Sequence, residues 1–422
     1  MWFADRHDFM NFCRFPAWTW QYLGENGSRG IEMSEPRLQV RRPQAPPLLR
    51  RGFLRVFLPT AAVAIAGVAI LLAGGTAALP FQPLTVLQGK MGSKEDYFND
   101  PEVQRILLRH HIRVHVTSMG SRDVATTGLD GYDFVFPSGQ PTAELVQRRT
   151  TGNPDVKPHR PVLTSPLVLA TYRRYAEALI EAKVARKQPD SDLYFDVDVT
   201  GLGRLMREPK TWQDIGLRTN RNPITVHTSS VCTSNGGGNF LGLLAYVENK
   251  GQPIATEQDV DRVADLVAPL VRGAGLPLKS PKQTYFAADG AATAPITVLY
   301  EHQYLQYQAQ AVRATGKPDP TRVLLYPDTS LMTEPGFISL NPDGRRLGTL
   351  LETDLDLRRR AVELGFRVVA ADDVPNTPTL TEQLASDRVP APVDRTDDTK
   401  ALLPASIDLF ERLIVRVGQC PS

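Results

Sequence analysis

Short apolar runs alternate with amphipathic stretches along most of this 422-residue chain. The segments "PLTVLQG" and "IRVHVTSMGS" predict strands because β-branched residues recur in them, and "SKEDYFNDPEVQRILLRH" between them has apolar residues at helical spacing. "YDFVFPSG" and "NPITVHT" predict further strands, and "NFLGLLAYVENK" predicts a helix. Strands and helices that alternate with short connections are typical of an α/β fold with doubly wound sheets.

Small polar turns follow the predicted strands. They occupy residues 92–94, 118–121, 137–139 and 233–238. In an open α/β sheet, ligands bind outside the carboxyl ends of the strands, where helix N-termini also present free N–H groups. The turns therefore predict a crevice that holds an anion or a carbonyl-rich solute without charged side chains.

The longest apolar run lies near the N-terminus, from Phe57 to Leu79. About 20 such residues cross the hydrocarbon core of a bilayer. Six arginines lie between residues 37 and 55, just before the run, and they predict that this end stays in the cytoplasm. The pattern thus predicts a disordered cytoplasmic segment over 1–55, a transmembrane helix over 56–79 and an extracytoplasmic remainder.

A cleaved export signal is the alternative to an anchor. "RRGFLR" resembles a twin-arginine signal, and "GGTAALP" supplies small residues near a cleavage point. The apolar run is long for a signal sequence, which favours a retained single-pass anchor over secretion. "MSEPRLQVRRPQ" resembles an ordinary cytoplasmic start, so Met1 and Met33 both stand as candidate first residues.

Composition narrows the choice of partner and compartment. A net charge of +2 gives no reason to expect a nucleic acid as partner. Outside the cytoplasm Cys232 and Cys420 can form a disulfide, while two buried thiols are the equal alternative, and Cys13 belongs to the leader.

The glycine run in "TSNGGGNFLGLLA" is not the loop of a nucleotide site. A phosphate-binding P-loop requires a lysine after its glycines, and none follows here. A dinucleotide fingerprint requires G-x-G-x-x-G, but Gly236 and Gly238 are followed by Gly242, one residue too late. The sequence therefore predicts no cofactor.

Two groups of chemically active side chains are also discounted. His111 and His115 share a strand face with Arg113, which repels a cation, and His110 adds no suitable ligand spacing, so no metal site is predicted. Asp196 and Asp198 share a strand face, whereas glycosidase carboxylates usually come from separate elements that face a sugar. The chain is accordingly not expected to be an enzyme.

Several motifs occur together in one order along residues 84–370. They are "GSKEDYF", "DGYDFVFPSG", "SPLVLATY", "KTWQDIG", "TSNGGGNFLGLLA", "VLYEHQYLQY" and "RVLLYPDT". In this order they resemble bacterial extracellular solute-binding proteins of the type II periplasmic binding protein fold, which includes molybdate and sulfate binders. The resemblance implies a first lobe of 84–163 and 327–422, a second lobe of 164–326, and hinge closure over a solute.

The resemblance also implies which residues hold the ligand, although "TSNGGG" replaces the related "SNSG". The implied ligand-binding residues are Ser93, Ser121 and Ser138 in the first lobe, and Ser234, Asn235, Gly236 and Tyr300 in the second. Taken singly, each serine is also explained as an ordinary helix cap. Ser93 is predicted to be the N-cap of the helix that follows it.

The expected function is capture of a small polar or anionic solute, with a membrane transporter as possible partner. An alternative is a membrane-anchored sensor or scaffold that keeps the fold without transport. A third interpretation is an exported hydrolase, which requires Asp196 and Asp198 to line the cleft.

Overall fold

The computed structural model describes residues 63–67, 83–208, 210–369, 376–393 and 399–420. The strands and helices labelled below all belong to one compact unit, Ala64–Ser422. Within the described ranges, no helix has both the length and the apolar character needed to span a bilayer.

Only part of the predicted transmembrane helix lies within the described residues. Residues 63–67 form a short helix inside the predicted span 56–79. The rest of that span, the predicted cytoplasmic segment 1–55 and Cys13 lie outside the described residues. The membrane anchor therefore stays a prediction from the sequence.

Strands and helices alternate along most of the unit. The strands are β1 (Thr85–Met91), β2 (Ile112–Ser118), β3 (Phe134–Phe136), β4 (Lys157–Pro158), β5 (Leu163–Tyr172), β6 (Ala185–Lys187), β7 (Tyr194–Val197), β8 (Ile296–Tyr300), β9 (Arg322–Pro327), β10 (Met332–Thr333), β11 (Ile338–Ser339) and β12 (Arg367–Val368). The helices are α1 (Glu95–Phe98), α2 (Pro101–Arg109), α3 (Ser121–Thr126), α4 (Gln140–Arg149), α5 (Arg173–Glu181), α6 (Val199–Arg207), α7 (Asn235–Glu248), α8 (Glu257–Arg272), α9 (Pro281–Phe286), α10 (Gly290–Thr293), α11 (Glu301–Thr315), α12 (Pro342–Thr353), α13 (Leu355–Glu363), α14 (Leu380–Ser386) and α15 (Ile407–Gly418).

Two sheets organise the unit. The first has the order β2-β1-β3-β11-β4, and β1 runs parallel to both of its neighbours. The second centres on β5, which is buried along its whole length and pairs with β8 and β9, while β7 and β6 extend the sheet beyond β9. We call the parts built on these sheets the first lobe and the second lobe.

Local sequence explains how the helices of the first lobe start and pack. The Asp100 carboxylate accepts hydrogen bonds from the N–H groups of Glu102 and Val103, and Pro101 occupies the first helical position of α2. The apolar face of α2 is buried against the first sheet. This packing orients the carboxyl ends of β1 and β2 towards the second lobe.

Short antiparallel pairings join the two lobes. β12 pairs with the start of β5 through Leu163 and Thr164, and β10 pairs with the next two residues of β5. The chain passes from the first sheet to the second between β4 and β5, returns between β10 and β11, and passes to the second sheet again between β11 and β12. We call β10, β12 and the start of β5 the hinge.

The C-terminal helices belong to the core of the second lobe. Leu384 of α14, with Phe410 and Leu413 of α15, is buried in that core. The sequence assigned these helices to the first lobe, within 327–422. Helical periodicity predicts that a face is buried but not which sheet it covers, and α15 packs mainly against α8.

The strand predicted for "NPITVHT" is wrong. Ile224 and Val226 are buried, but the segment forms only isolated bridges, one of them between His227 and Thr297. Apolar alternation here reports burial of side chains without a continuous ladder of backbone hydrogen bonds. The segment reaches the cleft as an irregular loop.

A disulfide links two distant segments of the second lobe. Cys232, in the loop before α7, is bonded to Cys420, just after α15, across 188 residues of sequence. Of the two alternatives left open by the sequence, the structure has the disulfide. It ties the C-terminus to the loop that enters the cleft.

Candidate functional site

A cavity of about 650 Å³ lies where the two lobes meet. The first lobe contributes the turns that follow β1, β2 and β3, as predicted from the small polar residues at those strand ends. The second lobe contributes the loop before α7, the segment before α9 and the end of β8. All seven residues proposed from the sequence line this one cavity: Ser93, Ser121, Ser138, Ser234, Asn235, Gly236 and Tyr300.

The three serines of the first lobe form a hydrogen-bonded network. The N–H of Ser93 donates to Oγ of Ser138 at 3.0 Å, and the two hydroxyl oxygens are 2.9 Å apart. The N–H of Ser138 donates to Oγ of Ser121 at 3.1 Å. The hydrogen bond between the hydroxyls of Ser93 and Ser138 uses only one of their two hydroxyl protons, so the other is free. The hydroxyl proton of Ser121 has no acceptor among the described residues. At least two O–H donors remain for a ligand.

Helix capping explains only one of the four serines. Ser234 is the N-cap of α7 and accepts from the N–H of Gly236 at 3.2 Å. The caps of α1, α3 and α4 are Lys94, Gly120 and Gly139, so the placement of Ser93 as a cap is wrong. The first-lobe hydroxyls are therefore held by one another at the cavity and not by helix ends.

The second lobe also holds its hydroxyls by local hydrogen bonds. Ser229 donates its hydroxyl to Oγ of Ser234 at 2.6 Å, which leaves the hydroxyl proton of Ser234 without an acceptor among the described residues. Oγ of Ser230 accepts from the N–H of Cys232 at 3.2 Å. Ser229 and Ser230 both line the cavity, and the sequence analysis missed them.

Tyr300 closes one side of the cavity as a neutral phenol. Its oxygen accepts a hydrogen bond from the amide of Asn235 at 3.1 Å. Burial raises the pKa of Tyr300 to about 12, and the bond from Asn235 opposes that shift only in part. At neutral pH the phenol keeps its proton and can donate it to a ligand.

The three consecutive glycines lie in the first turn of α7, and they have different roles. A Cβ on Gly237 would lie 2.4 Å from the carbonyl oxygen of Ser229, so this position requires glycine. A Cβ on Gly236 or on Gly238 would make ordinary contacts at 3.6 Å or more. Gly237 lets the start of α7 approach the loop that carries Ser229 and Ser230.

Replacing Gly237 with alanine is expected to lower the free energy of unfolding by about 1–3 kcal/mol, because backbone atoms must move to admit the methyl group. Gly238→Ala is the matched control, since its methyl group meets only Phe410 and Ile414 at 3.7 Å and alanine favours the helix by up to about 1 kcal/mol. Urea unfolding measures both. Equal stabilities of the two variants would contradict the close approach at Gly237.

Charged residues lie at the rim of the cavity. Lys282 donates to the carboxylate of Asp96 at 2.5 Å, which links α9 of the second lobe to α1 of the first. Glu95 and Lys279 also line the cavity. The four charges sum to zero, so the rim itself does not select the sign of a ligand.

A buried arginine connects the lobes next to the cavity. Arg122 of α3 donates through Nη1 to the carbonyl oxygen of Cys232 at 3.1 Å, and through Nη2 to the carboxylate of Glu411 on α15. Its own N–H donates to the carbonyl oxygen of Thr233 at 3.0 Å. We call this set of contacts the Arg122 latch.

A buried lysine lies beside the cavity and was not predicted. Lys94 follows Ser93, is fully buried, and its Nζ has no hydrogen-bond partner among the described residues. The ammonium lies 5.0 Å from the ring centre of Tyr300 and 5.0 Å from that of Phe366. In the sequence Lys94 stands among charged residues, so its burial depends on packing that no local pattern indicates.

The carboxylates of the hydrolase alternative lie elsewhere. Asp196 is bonded to Arg186 and Gln188, and Asp198 caps α6 by accepting from the N–H of Gly201. Neither residue lines the cavity. The hydrolase interpretation thus loses the pair of groups on which it depended.

The histidines of the β2 region are also separate from the cavity. His110 Nε2 is within hydrogen-bond distance of Asp354 Oδ2, at 2.8 Å, while His115 lies in a separate groove lined by α2, β2 and α13. Among the residues that the structure describes, no three histidine, cysteine or carboxylate side chains are grouped as ligands for a metal ion.

No protein-family model matches the chain, and no curated protein matches its sequence. Among solved structures, the sulfate-binding protein SubI from Mycobacterium tuberculosis H37Rv is similar at 15% identity and a TM-score of 0.41, over 78% of this chain and 96% of that one. Iron-bound HitA from Pseudomonas aeruginosa is similar at 13% identity and a TM-score of 0.44, over 79% and 99%.

An ABC transporter solute-binding protein from Thermotoga lettingae, bound with α-D-tagatose, is similar at 13% identity and a TM-score of 0.39, over 66% of this chain and 79% of that one. Solute-binding proteins are thus among the structures similar to this chain, as the sequence motifs indicated.

Proposed function

We propose that this chain captures a small polar or oxyanionic solute between its two lobes. The observation that carries the proposal is the cavity of about 650 Å³, which is lined by hydroxyl groups from both lobes. Sites for small ligands typically enclose about 300–1,000 Å³. Hydroxyls donate hydrogen bonds without a full charge, which suits a solute that loses its hydration shell on binding.

The hydrogen bonds around the cavity support this proposal. The hydroxyls of Ser121 and Ser234 accept protein hydrogen bonds yet keep their protons free for a ligand, and Tyr300 keeps its phenolic proton. These donors come from both lobes. A solute that accepts from donors on both sides stabilises the closed arrangement more than the open one, and so drives closure.

The hinge and the Arg122 latch supply the means of closure. The hinge pairings between β5, β10 and β12 are short, so small changes of backbone angles there can rotate one lobe against the other. The latch adds contacts that exist only when the lobes meet. Closure would then exclude water from the hydroxyl donors.

We further propose that the chain works outside the cytoplasm. The Cys232–Cys420 disulfide supports this location because such bonds persist in oxidising compartments. A membrane transporter is the proposed partner, and a single-pass anchor over 56–79 is the proposed attachment. A sensor that keeps the same fold without transport remains the second candidate, and association with membrane proteins in the absence of solute would favour it.

Thermal unfolding in the presence of oxyanions, sugars and amino acids tests the proposal. A solute that binds only the folded protein raises the melting temperature as its concentration exceeds the dissociation constant. A shift with one chemical class identifies the ligand type. No shift with any class, at millimolar solute, would contradict capture in this cavity.

Replacing Ser138 with alanine is expected to lower the affinity for the solute found in that screen about tenfold. The substitution removes a hydroxyl that organises Ser93, and a lost hydrogen bond to a buried polar ligand costs about 1–3 kcal/mol. Isothermal titration calorimetry measures the change. Thr349→Ala, on the exposed face of α12, is the control and is expected to bind as the wild type does.

A further inference from the structure

We infer that Lys94 selects the charge of the ligand. Its ammonium is buried beside Tyr300 and has no counter-ion in hydrogen-bond reach among the residues that the structure describes. The cavity therefore prefers an anion over a neutral solute of similar size, and the anion binds together with a proton on Lys94. This inference rests on the proposed function, because it concerns the same cavity.

The position of Lys94 carries the inference. Lys94 lies in the turn after β1, directly beside Ser93, and its ammonium packs on the ring of Tyr300. Ser93 and Tyr300 both line the cavity. On its other side lies Phe366, just before the hinge strand β12. The ammonium thus lies behind the wall of the cavity, at the point where both lobes and the hinge meet.

The charged and titratable groups around Lys94 do not neutralise it. Asp96 is the nearest acid on its own segment, but its carboxylate is bonded to Lys282 of α9. On the side of α11, Glu301 is bonded to Tyr326 and Arg367. When Lys94 is protonated, its ammonium therefore has no ion-pair partner among the described residues, in a region from which water is excluded.

The nearby aromatic and imidazole groups do not supply a counter-ion either. His302 stacks on Phe366 with ring centres 4.0 Å apart, and neither of its ring nitrogens has a hydrogen-bond partner among the described residues. Burial lowers the pKa of His302 well below its ordinary value, and Lys94 lowers it further, so the ring is neutral. Tyr300 is neutral as well, since its pKa is about 12. The ring faces of Tyr300 and Phe366 attract the ammonium, but they carry no net negative charge that would neutralise it.

An unpaired buried ammonium is costly, and burial lowers the pKa of Lys94 from 10.5 to about 7 although Asp96 opposes the shift. An anion in the cavity supplies the missing opposite charge and favours the protonated lysine. By linkage, protonation of Lys94 strengthens binding of the anion to the same extent. A neutral solute receives no such gain.

The sign of the pH dependence follows from this linkage. Below a pH of about 7 the lysine is already charged in the solute-free protein, so the affinity for an anion is highest there. Above pH 7, binding of the anion also requires that Lys94 take up a proton, so the affinity falls as the pH rises. The decline ends once the pH exceeds the pKa of Lys94 in the anion-bound protein. A neutral solute is expected to show no such decline.

Sulfate is a suitable first probe because its charge does not change between about pH 6 and pH 9, the range over which Lys94 titrates. Calorimetry with wild-type protein is expected to show an affinity for sulfate that falls about tenfold across this range. Lys94→Met, which keeps the length and apolar body of the side chain, is expected to bind sulfate about tenfold more weakly at pH 6 and to change less than about threefold with pH. Lys317→Met removes one exposed charge far from the cavity and is expected to behave as the wild type.

Stability without any solute gives a second readout. The unfolded chain binds a proton at Lys94 up to a pH near 10.5, whereas the folded chain releases it near 7. Wild-type stability is therefore expected to rise with pH above 7, and this rise is expected to be missing in Lys94→Met. Parallel pH profiles of stability for the two proteins would overturn the assignment of Lys94 as the titrating group.

The outcomes separate the two proposals. If sulfate, phosphate and molybdate bind with the same affinity and pH profile in wild type and Lys94→Met, the charge selection is wrong while capture by the cavity stands. Preferential binding of a neutral sugar or amino acid leads to the same conclusion. If no solute binds at any pH although stability shows Lys94 titrating near 7, the proposed function fails.

Discussion

Replacing Arg122 with alanine is expected to weaken solute binding about 30-fold or more. The variant loses the contacts of the Arg122 guanidinium with the carbonyl oxygen of Cys232 and with the carboxylate of Glu411. Because Glu411 is half-buried and Arg122 is its only ion-pair partner among the described residues, the closed form loses about 2–4 kcal/mol relative to the open form. Binding that requires closure weakens by the same free energy.

Calorimetry gives the loss of affinity, and small-angle scattering of the solute-free variant gives the change of shape. We expect the radius of gyration to increase as the lobes separate. The control is Arg148→Ala, which removes another arginine that bonds to α15, at 2.9 Å from Asp408. Both side chains of that pair are exposed, so its loss is expected to change affinity less than about threefold.

Two results would contradict the role of the latch. One is an Arg122→Ala variant with unchanged affinity and unchanged scattering. The other is an equal effect of both arginine variants, since loss of any cross-lobe charge would then have the same consequence and the burial of Arg122 would be irrelevant.

Much of the cavity could be predicted because it depends on local rules. Ser93, Ser121 and Ser138 follow three neighbouring strands, and the carboxyl ends of parallel strands meet at one edge of a sheet. A short β-branched run and a small polar turn suffice to recognise each of those ends. The resemblance to solute-binding proteins implied that Ser234 and Asn235 lie at the start of a helix, and the structure has them there.

Other features depend on contacts between distant segments. Lys94 looks like a solvent-exposed lysine, but Phe366, which covers it, lies far along the sequence. Arg122 likewise meets Glu411 across 289 residues of sequence, through the packing of α15. Periodicity identifies a buried face, whereas the element that covers it is decided by the whole fold.

The roles of individual residues could not be predicted from the sequence even where their segment was placed correctly. The pattern at Ser93 satisfies every rule for a helix cap, yet its hydroxyl is used by Ser138 and Lys94 takes the cap position. Of the three consecutive glycines, packing makes only Gly237 obligatory. Such distinctions arise from how neighbouring segments pack: the nearest atom to an added Cβ would lie at 2.4 Å for Gly237 but at 3.6 Å or more for Gly236 and Gly238, and composition and spacing do not encode this difference.

Replacing both Cys232 and Cys420 with serine is expected to lower the free energy of unfolding by about 3–5 kcal/mol. The disulfide closes a loop of 188 residues, and a constraint of that length removes much of the conformational entropy of the unfolded chain. Chemical unfolding of the variant and of the wild type measures the difference. Addition of a reductant to the wild type is expected to reproduce it, whereas the variant is expected not to respond to reductant.

The same variant tests whether the disulfide also prepares the latch. Cys232 supplies a carbonyl to Arg122, and Cys420 follows the helix that carries Glu411, so the bond holds both acceptors of one guanidinium. If it orders them, the effects of Arg122→Ala and of the double serine substitution on solute affinity are expected to be non-additive by about 1 kcal/mol. Strict additivity would mean that the disulfide stabilises the second lobe without contributing to closure, and that the latch acceptors are held by packing alone.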